Sequence, residues 1–128
     1  MSRAALSMKA WAIYLGSLGL GLLLAPNLLL GLFGLPETHD VWAHMSGMFC
    51  LFVASLDWLA AAHENVLVFR WATASRYSVP LFFAAFVAAG WAPPVLLLFA
   101  VVDFAGASWT LLALRADADA ASTPPTRA

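Results

Sequence analysis

Asp57, Arg70, Arg76 and Asp103 stand within long apolar stretches, and they are the side chains of this 128-residue chain best placed to do chemistry. A charge near the centre of a membrane helix costs about 2.5 to 3.5 kcal/mol on insertion scales, so it faces a bundle interior, pairs, or serves a ligand or ion path. Asp103, Gly106, Ala107 and Thr110 follow i, i+3, i+4, i+7 spacing and form one small, polar stripe on a helix. Ser46, Cys50, Val53 and Asp57 make a similar stripe on another, and Ser17 with Gly21 gives a third helix a small face. The predicted interior holds Asp57, Arg70, Arg76, Asp103 and Thr110 as ligand-binding or buried ion-pair candidates, with Phe82, Phe83 and Phe86 filling space around them.

Depth suggests partners. Counted from the helix ends at 1.5 Å per residue, Asp57 and Arg70 stand about 6 to 8 Å in, and Asp103 and Arg76 about 15 to 17 Å in. The expected pairs are therefore Asp57 with Arg70 and Asp103 with Arg76, and a cluster of all four is the alternative. Three readings remain open: a structural ion pair, a functional polar site that binds a ligand or moves a proton, and a helix starting only near Tyr77, with both arginines as anchors outside it.

These side chains need helices to hold them. The chain is 63% hydrophobic and 10% charged, whereas a soluble domain carries roughly 25% charged residues. Residues 10–36 and 77–102 contain no Asp, Glu, Lys, Arg or His, and about 20 apolar residues suffice for a helix to cross a bilayer. The expected fold is all-α, a bundle of four transmembrane helices over about 9–25, 41–62, 66–90 and 95–114. Pro26 and Asn27 interrupt the first span, so "NLLLGLFGLP" is its kinked end or a short separate piece at the interface. Thr38 or Asp40 is available as N-cap of the second span, and the prolines of "WAPP" precede the last. Residues 1–8 are expected to be a cytoplasmic N-terminus and 115–128 a disordered cytoplasmic tail.

Arg3, Lys9, Arg70, Arg76, Arg115 and Arg127 all fall at the termini or beside the connection between spans two and three. The positive-inside rule then places both termini in the cytoplasm, N-in and C-in, as a multi-pass protein of a bacterial inner membrane. Trp42 and Trp91 would mark the outer interface, and Trp11, Trp58, Trp71 and Trp109 the inner one. So uneven a distribution of basic residues opposes the small transporters that insert in both orientations, and the first span lacks their membrane acid.

His39, His44 and His63 are the three imidazoles, and Asp40 and His44 are four residues apart on one helix. That is a sparse donor set, and no metal or other cofactor is expected. A lone cysteine, Cys50, leaves no internal disulfide. No phosphate loop, nucleophile elbow or paired-histidine zinc motif occurs, and at a net charge of −1 no nucleic-acid partner is expected.

"LLLAPNLLLGLFGLP", "VWAHMSGMFCLFVASLDWLAAAHE", "FRWATASRYSVPLFFAAFVAAG" and "LLLFAVVDFAGASWTLLAL" together resemble the small bacterial four-helix membrane proteins grouped as DoxX-like or as uncharacterised families of that size. The resemblance covers residues 10–114 and implies the architecture and a tendency to act as a membrane partner, without catalytic residues to carry over. The expected function is an accessory or scaffold subunit, in a homo-oligomer or with another membrane protein. The alternative is a small-molecule or proton-coupled transporter or binding protein using Asp57, Arg76 and Asp103. An enzyme acting on a lipid or quinone has only the Asp and Arg groups to offer as general base and anion binder.

Overall fold

A computed structural model describes residues 1–125, and Arg127 lies outside them. The described residues form five helices and no strand: α1 (Arg3–Leu24), α2 (Pro26–Leu32), α3 (Val41–Ala62), α4 (Val66–Ala88) and α5 (Leu96–Ser122). α1, α3 and α5 are long and apolar enough to cross a membrane. α4 is as long, at 23 residues, but Arg70, Arg76 and its serines make it more polar.

The first helix starts at Arg3, six residues before the expected Lys9. Ser2 caps it, its hydroxyl accepting from the Ala5 N–H at 3.0 Å. Ala4, Ala5 and Met8 are then buried against Ala60, Ala61, Phe69, Ala72 and Ala113, so residues expected to trail in the cytoplasm contribute to the core. The expected disordered tail is corrected over residues 115–122, because α5 continues through "RADADAAS" to Ser122, while 126–128 lie outside the described residues. Alanine has the highest helix propensity, and extending an existing helix needs no new nucleus. Asp117 adds a tertiary anchor by accepting from the N–H groups of Arg3 and Ala4 at 3.2 and 2.9 Å, which places a carboxylate at the positive end of α1.

Pro26 begins α2 as a separate helix, as one of the two expected alternatives had it. α4 begins at Val66, with Asn65 capping Val68, which excludes a start near Tyr77. Pro80 lies within α4 and has no N–H, so the carbonyl of Arg76, four residues back, loses its helical donor.

Three helices end in the same way, with a residue in the left-handed region and an N–H reaching back five residues. Leu35 donates to Leu30, Asn65 to Ala60 and Trp91 to Phe86. The left-handed positions are Gly34, Glu64 and Gly90, with φ of 68, 51 and 75°. Glycine takes this conformation without strain, whereas Glu64 has a Cβ and does so at a cost. Its carboxylate meanwhile accepts from the Ser2 N–H at 2.8 Å and from the Ser2 hydroxyl, tying the start of α1 to the α3–α4 turn.

α1 packs chiefly on α3, α4 on α5, and the two pairs meet through α1 and α5, while α3 touches α4 sparingly. The small residues that let α1 approach α3 are Gly19 and Gly47. A Cβ on Gly47 would stand 2.5 Å from the Leu23 nitrogen and 2.6 Å from the Gly19 oxygen. This corrects the expected Ser17 and Gly21 face: Ser17 is exposed and Gly21 faces Leu29 of α2. Small residues recur along α1, and only the partner helix decides which of them form the contact face.

The hydrogen bonds from Ser2 hold the Glu64 carboxyl below the usual glutamate range. A lowered folded-state pKa stabilises above the unfolded value, about 4.3, and that contribution is lost as pH falls through the folded value. Thermal unfolding in detergent is expected to show stability declining below about pH 4.3, with a shallower decline in Glu64→Gln; equal slopes would mean that the clasp does not form.

Candidate functional site

A cavity of about 710 Å³ lies between the two helix pairs, and all five helices contribute to its wall. Ser46, Cys50, Val53 and Asp57 line it from α3, with Asp57 buried and Ser46 and Val53 exposed, so the predicted stripe on that helix runs from the interior to the cavity's open side. Asp103 lines it from α5, and Arg76 from α4. Leu29 and Leu30 of α2, with Phe33 just after it, line its far end, which gives the short helix a place in the site. Val53, Leu56 and Trp71 belong to the wall and are themselves exposed, so the cavity opens sideways between α3 and α4.

The cavity gathers three of the four expected charges. Asp57 is 4% exposed and Arg76 5% exposed, and Asp103 is half-buried. Arg70 is exposed and absent from the wall, so neither the Asp57–Arg70 pair nor a cluster of all four forms. Arg70 shares a depth with Asp57 but projects from the outer side of α4, and depth carries no information on facing. The Asp103–Arg76 ion pair does not form either: among the described residues the single ion pair within 4.0 Å joins the Met1 ammonium to Glu64.

Arg76 has other partners. Its Nε donates to the Ala72 carbonyl at 3.2 Å, Nη1 to the Thr110 hydroxyl at 3.4 Å and Nη2 to the Met8 sulfur at 2.9 Å. The Trp11 ring covers the guanidinium, with Cζ 4.7 Å from the ring centroid, a geometry in which the ring face attracts the cation. Trp11 fits because α5 has Gly106 opposite it; a Cβ there would stand 2.6 Å from the ring. Thr110 is fully buried, donates to the Gly106 carbonyl at 3.1 Å and meets the Ser7 hydroxyl at 3.1 Å. The α5 stripe therefore acts as a unit: Gly106 admits the ring, Thr110 holds the guanidinium and Asp103 reaches the cavity.

The aspartates are different. Among the described residues neither Asp57 nor Asp103 accepts a hydrogen bond, although both line the cavity. Their oxygens retain open lone pairs toward that space, where a carboxylate in a bundle interior ordinarily has a partner. A smaller cavity of about 280 Å³ lies on the other side of Trp11, Tyr14 and Arg76, between α1 and α5.

Met8, Trp11 and Tyr14 were not among the expected site residues. Ser7, Trp11 and Tyr14 are spaced i, i+4, i+7 on α1 and carry the signal in retrospect, but Trp11 read as an interfacial anchor. Of the three phenylalanines expected around the interior, Phe83 lines the cavity, Phe82 is exposed, and Phe86 stacks on Trp91 at 6.1 Å. His44 Nδ1 donates to the Leu23 carbonyl at 2.7 Å, at the end of α1 where helix carbonyls lack partners. Among the described residues no three metal-ligating side chains converge. Comparison with protein-family models, with curated proteins and with solved structures found no match to this chain.

Thr110→Val keeps the shape but takes an acceptor from Arg76 and Ser7, and is expected to cost about 1 to 2 kcal/mol. Asp57→Asn and Asp103→Asn have no hydrogen bond to lose and are expected to be stabilising or to cost less than Thr110→Val. Denaturant titration in mixed micelles ranks the three; a greater loss in either aspartate variant would make the carboxylates structural.

Proposed function

We propose that this protein is an integral membrane binding protein that holds a small amphipathic molecule inside its helix bundle. The observation that carries the reading is the cavity of about 710 Å³ into which the buried Asp57, without a hydrogen-bond partner among the described residues, opens together with Asp103 and Arg76. Its volume falls in the range of small-molecule sites, and its wall is mostly apolar with a few convergent polar groups. Residues that carry a charge without an internal partner are kept at a cost to stability, and a ligand or ion path is the usual return for it. The side opening between α3 and α4 suits a ligand that arrives from the lipid.

In this reading α4 crosses the bilayer with α1, α3 and α5, its arginine shielded by Trp11 and Thr110, while α2 lies at the far interface. The architecture is then that of the DoxX-like proteins, in a bacterial inner membrane. Support for an N-in, C-in topology comes from Arg3, Lys9, Arg70 and Arg115, which stand toward the end where Ser2, Glu64 and Asp117 meet. In a Cys50→Ala background, a cysteine at position 37 is expected to react with an impermeant thiol reagent added to intact cells, and one at position 63 only after permeabilisation. The reverse pattern would invert the topology.

The accessory or scaffold role is the second reading. Trp42, Met45, Phe49, Phe52, Leu56 and Leu59 of α3 recur at alternating spacings of three and four, and five of them are strongly exposed. Such a seam suits a second copy or another membrane protein. Native mass spectrometry of protein extracted with its lipids is expected to give a small-molecule adduct that Val53→Trp, which fills the cavity, removes. A dimer or partner complex with no such adduct would favour the scaffold.

A further inference from the structure

The cavity wall carries neutral donors in Tyr14, Cys50 and Trp71, but its charged groups are unbalanced in sign, and this identifies the chemical class of the molecule they take. Asp57 and Asp103 supply acceptor oxygens, none of which is engaged by a donor among the described residues. Ser46 and Ser75 also line the wall, but each hydroxyl hydrogen is spent within its own helix, on the Trp42 and Ala72 carbonyls at 2.8 and 3.0 Å, which leaves oxygen lone pairs. The counterweight is Arg76, and its guanidinium is committed to Ala72, Thr110 and Met8 with Trp11 over its face. Two carboxylates against one guanidinium give the space a formal charge of −1 when both acids are ionised. An anion would meet two carboxylates and an arginine three of whose five N–H groups already point into protein.

Resting on the reading of the cavity as a binding site, we infer that its ligand is an amphipathic monocation whose head carries several N–H donors, such as an alkylammonium. The head would sit between Asp57 and Asp103, its charge balancing the excess of one, and its N–H groups would meet the carboxylates and the serine oxygens. The alkyl chain would run toward Leu29, Leu30 and Phe33, where the wall is apolar. Such a molecule partitions into a bilayer with its head at the interface, and the side opening between α3 and α4 admits it without passage through water.

Calorimetric titration of the full chain in nanodiscs of zwitterionic lipid, with empty nanodiscs subtracted, tests this using n-octylammonium, n-octyltrimethylammonium and n-octanoate. Cys50, the single thiol and part of the wall, serves as a position marker through its rate of alkylation. Saturable binding of n-octylammonium is expected, at least tenfold tighter than of the trimethylated compound, which has no N–H. Asp57→Asn and Asp103→Asn are each expected to weaken it at least tenfold, and the bound ligand to slow Cys50 alkylation in the wild type. Binding of octanoate instead, lost in Arg76→Gln, would overturn the cationic assignment and leave the binding reading standing. Equal affinity for the trimethylated compound would overturn the donor argument, and saturable binding of none of the three would overturn both the assignment and the reading beneath it.

Discussion

The close approach of α1 to α3 at Gly19 and Gly47 is the constraint on which the remaining architecture depends. Neither position can carry a side chain without displacing backbone of the other helix, so the two helices meet main chain to main chain. Dispersion and short-range polar contacts between backbones drive helix association where lipid is as apolar as the side chains, and they act over such short distances. Once α1 is committed to α3, its Trp11 side is left for α5, and α4 follows α5. The cavity is the volume that this pairing leaves between α3 and α4, and α2 lines one end of it.

Arg76 is where packing and electrostatics meet. A guanidinium has five N–H donors, and leaving them unsatisfied in a low-dielectric interior is costly. The bundle answers with a carbonyl, a hydroxyl, a thioether and an indole face from three different helices. None of these is a carboxylate. The arrangement fixes the cation by hydrogen bonds and shape and leaves both aspartates available to the cavity, whereas direct ion pairs would have consumed them. The clasp of Ser2 and Glu64, with Asp117 on the first N–H groups of α1, secures the nearby end of the bundle.

Much of this was legible in the residues. The apolar blocks, the prolines and the polar turns gave the helices, and the starts of α3 and α4 fell where expected. The stripes Ser46–Cys50–Val53–Asp57 and Asp103–Gly106–Ala107–Thr110 each keep to one side of their helix, because helical periodicity alone sets which residues share a face. The helix ends at Arg3 and Ser122 were not legible. A contact between Asp117 and Arg3–Ala4 joins the two segments, residues more than a hundred positions apart, and charge and composition at a terminus read the same whether or not such a contact exists.

The sequence by itself determined an all-helical chain with helices fit to cross a membrane, the depth of each charge along its helix and the residues on its face. These are properties of one helix and follow from rise and period. Tertiary structure decided which faces meet: that Gly19 rather than Gly21 contacts α3, that Arg70 points away while Arg76 points in, and that Arg76 goes to Thr110, Met8 and Trp11 instead of an aspartate. Depth fixes a charge along one axis only. Its partner depends on the rotation of each helix about its own axis, which is set by close packing between helices and is encoded in no single one of them.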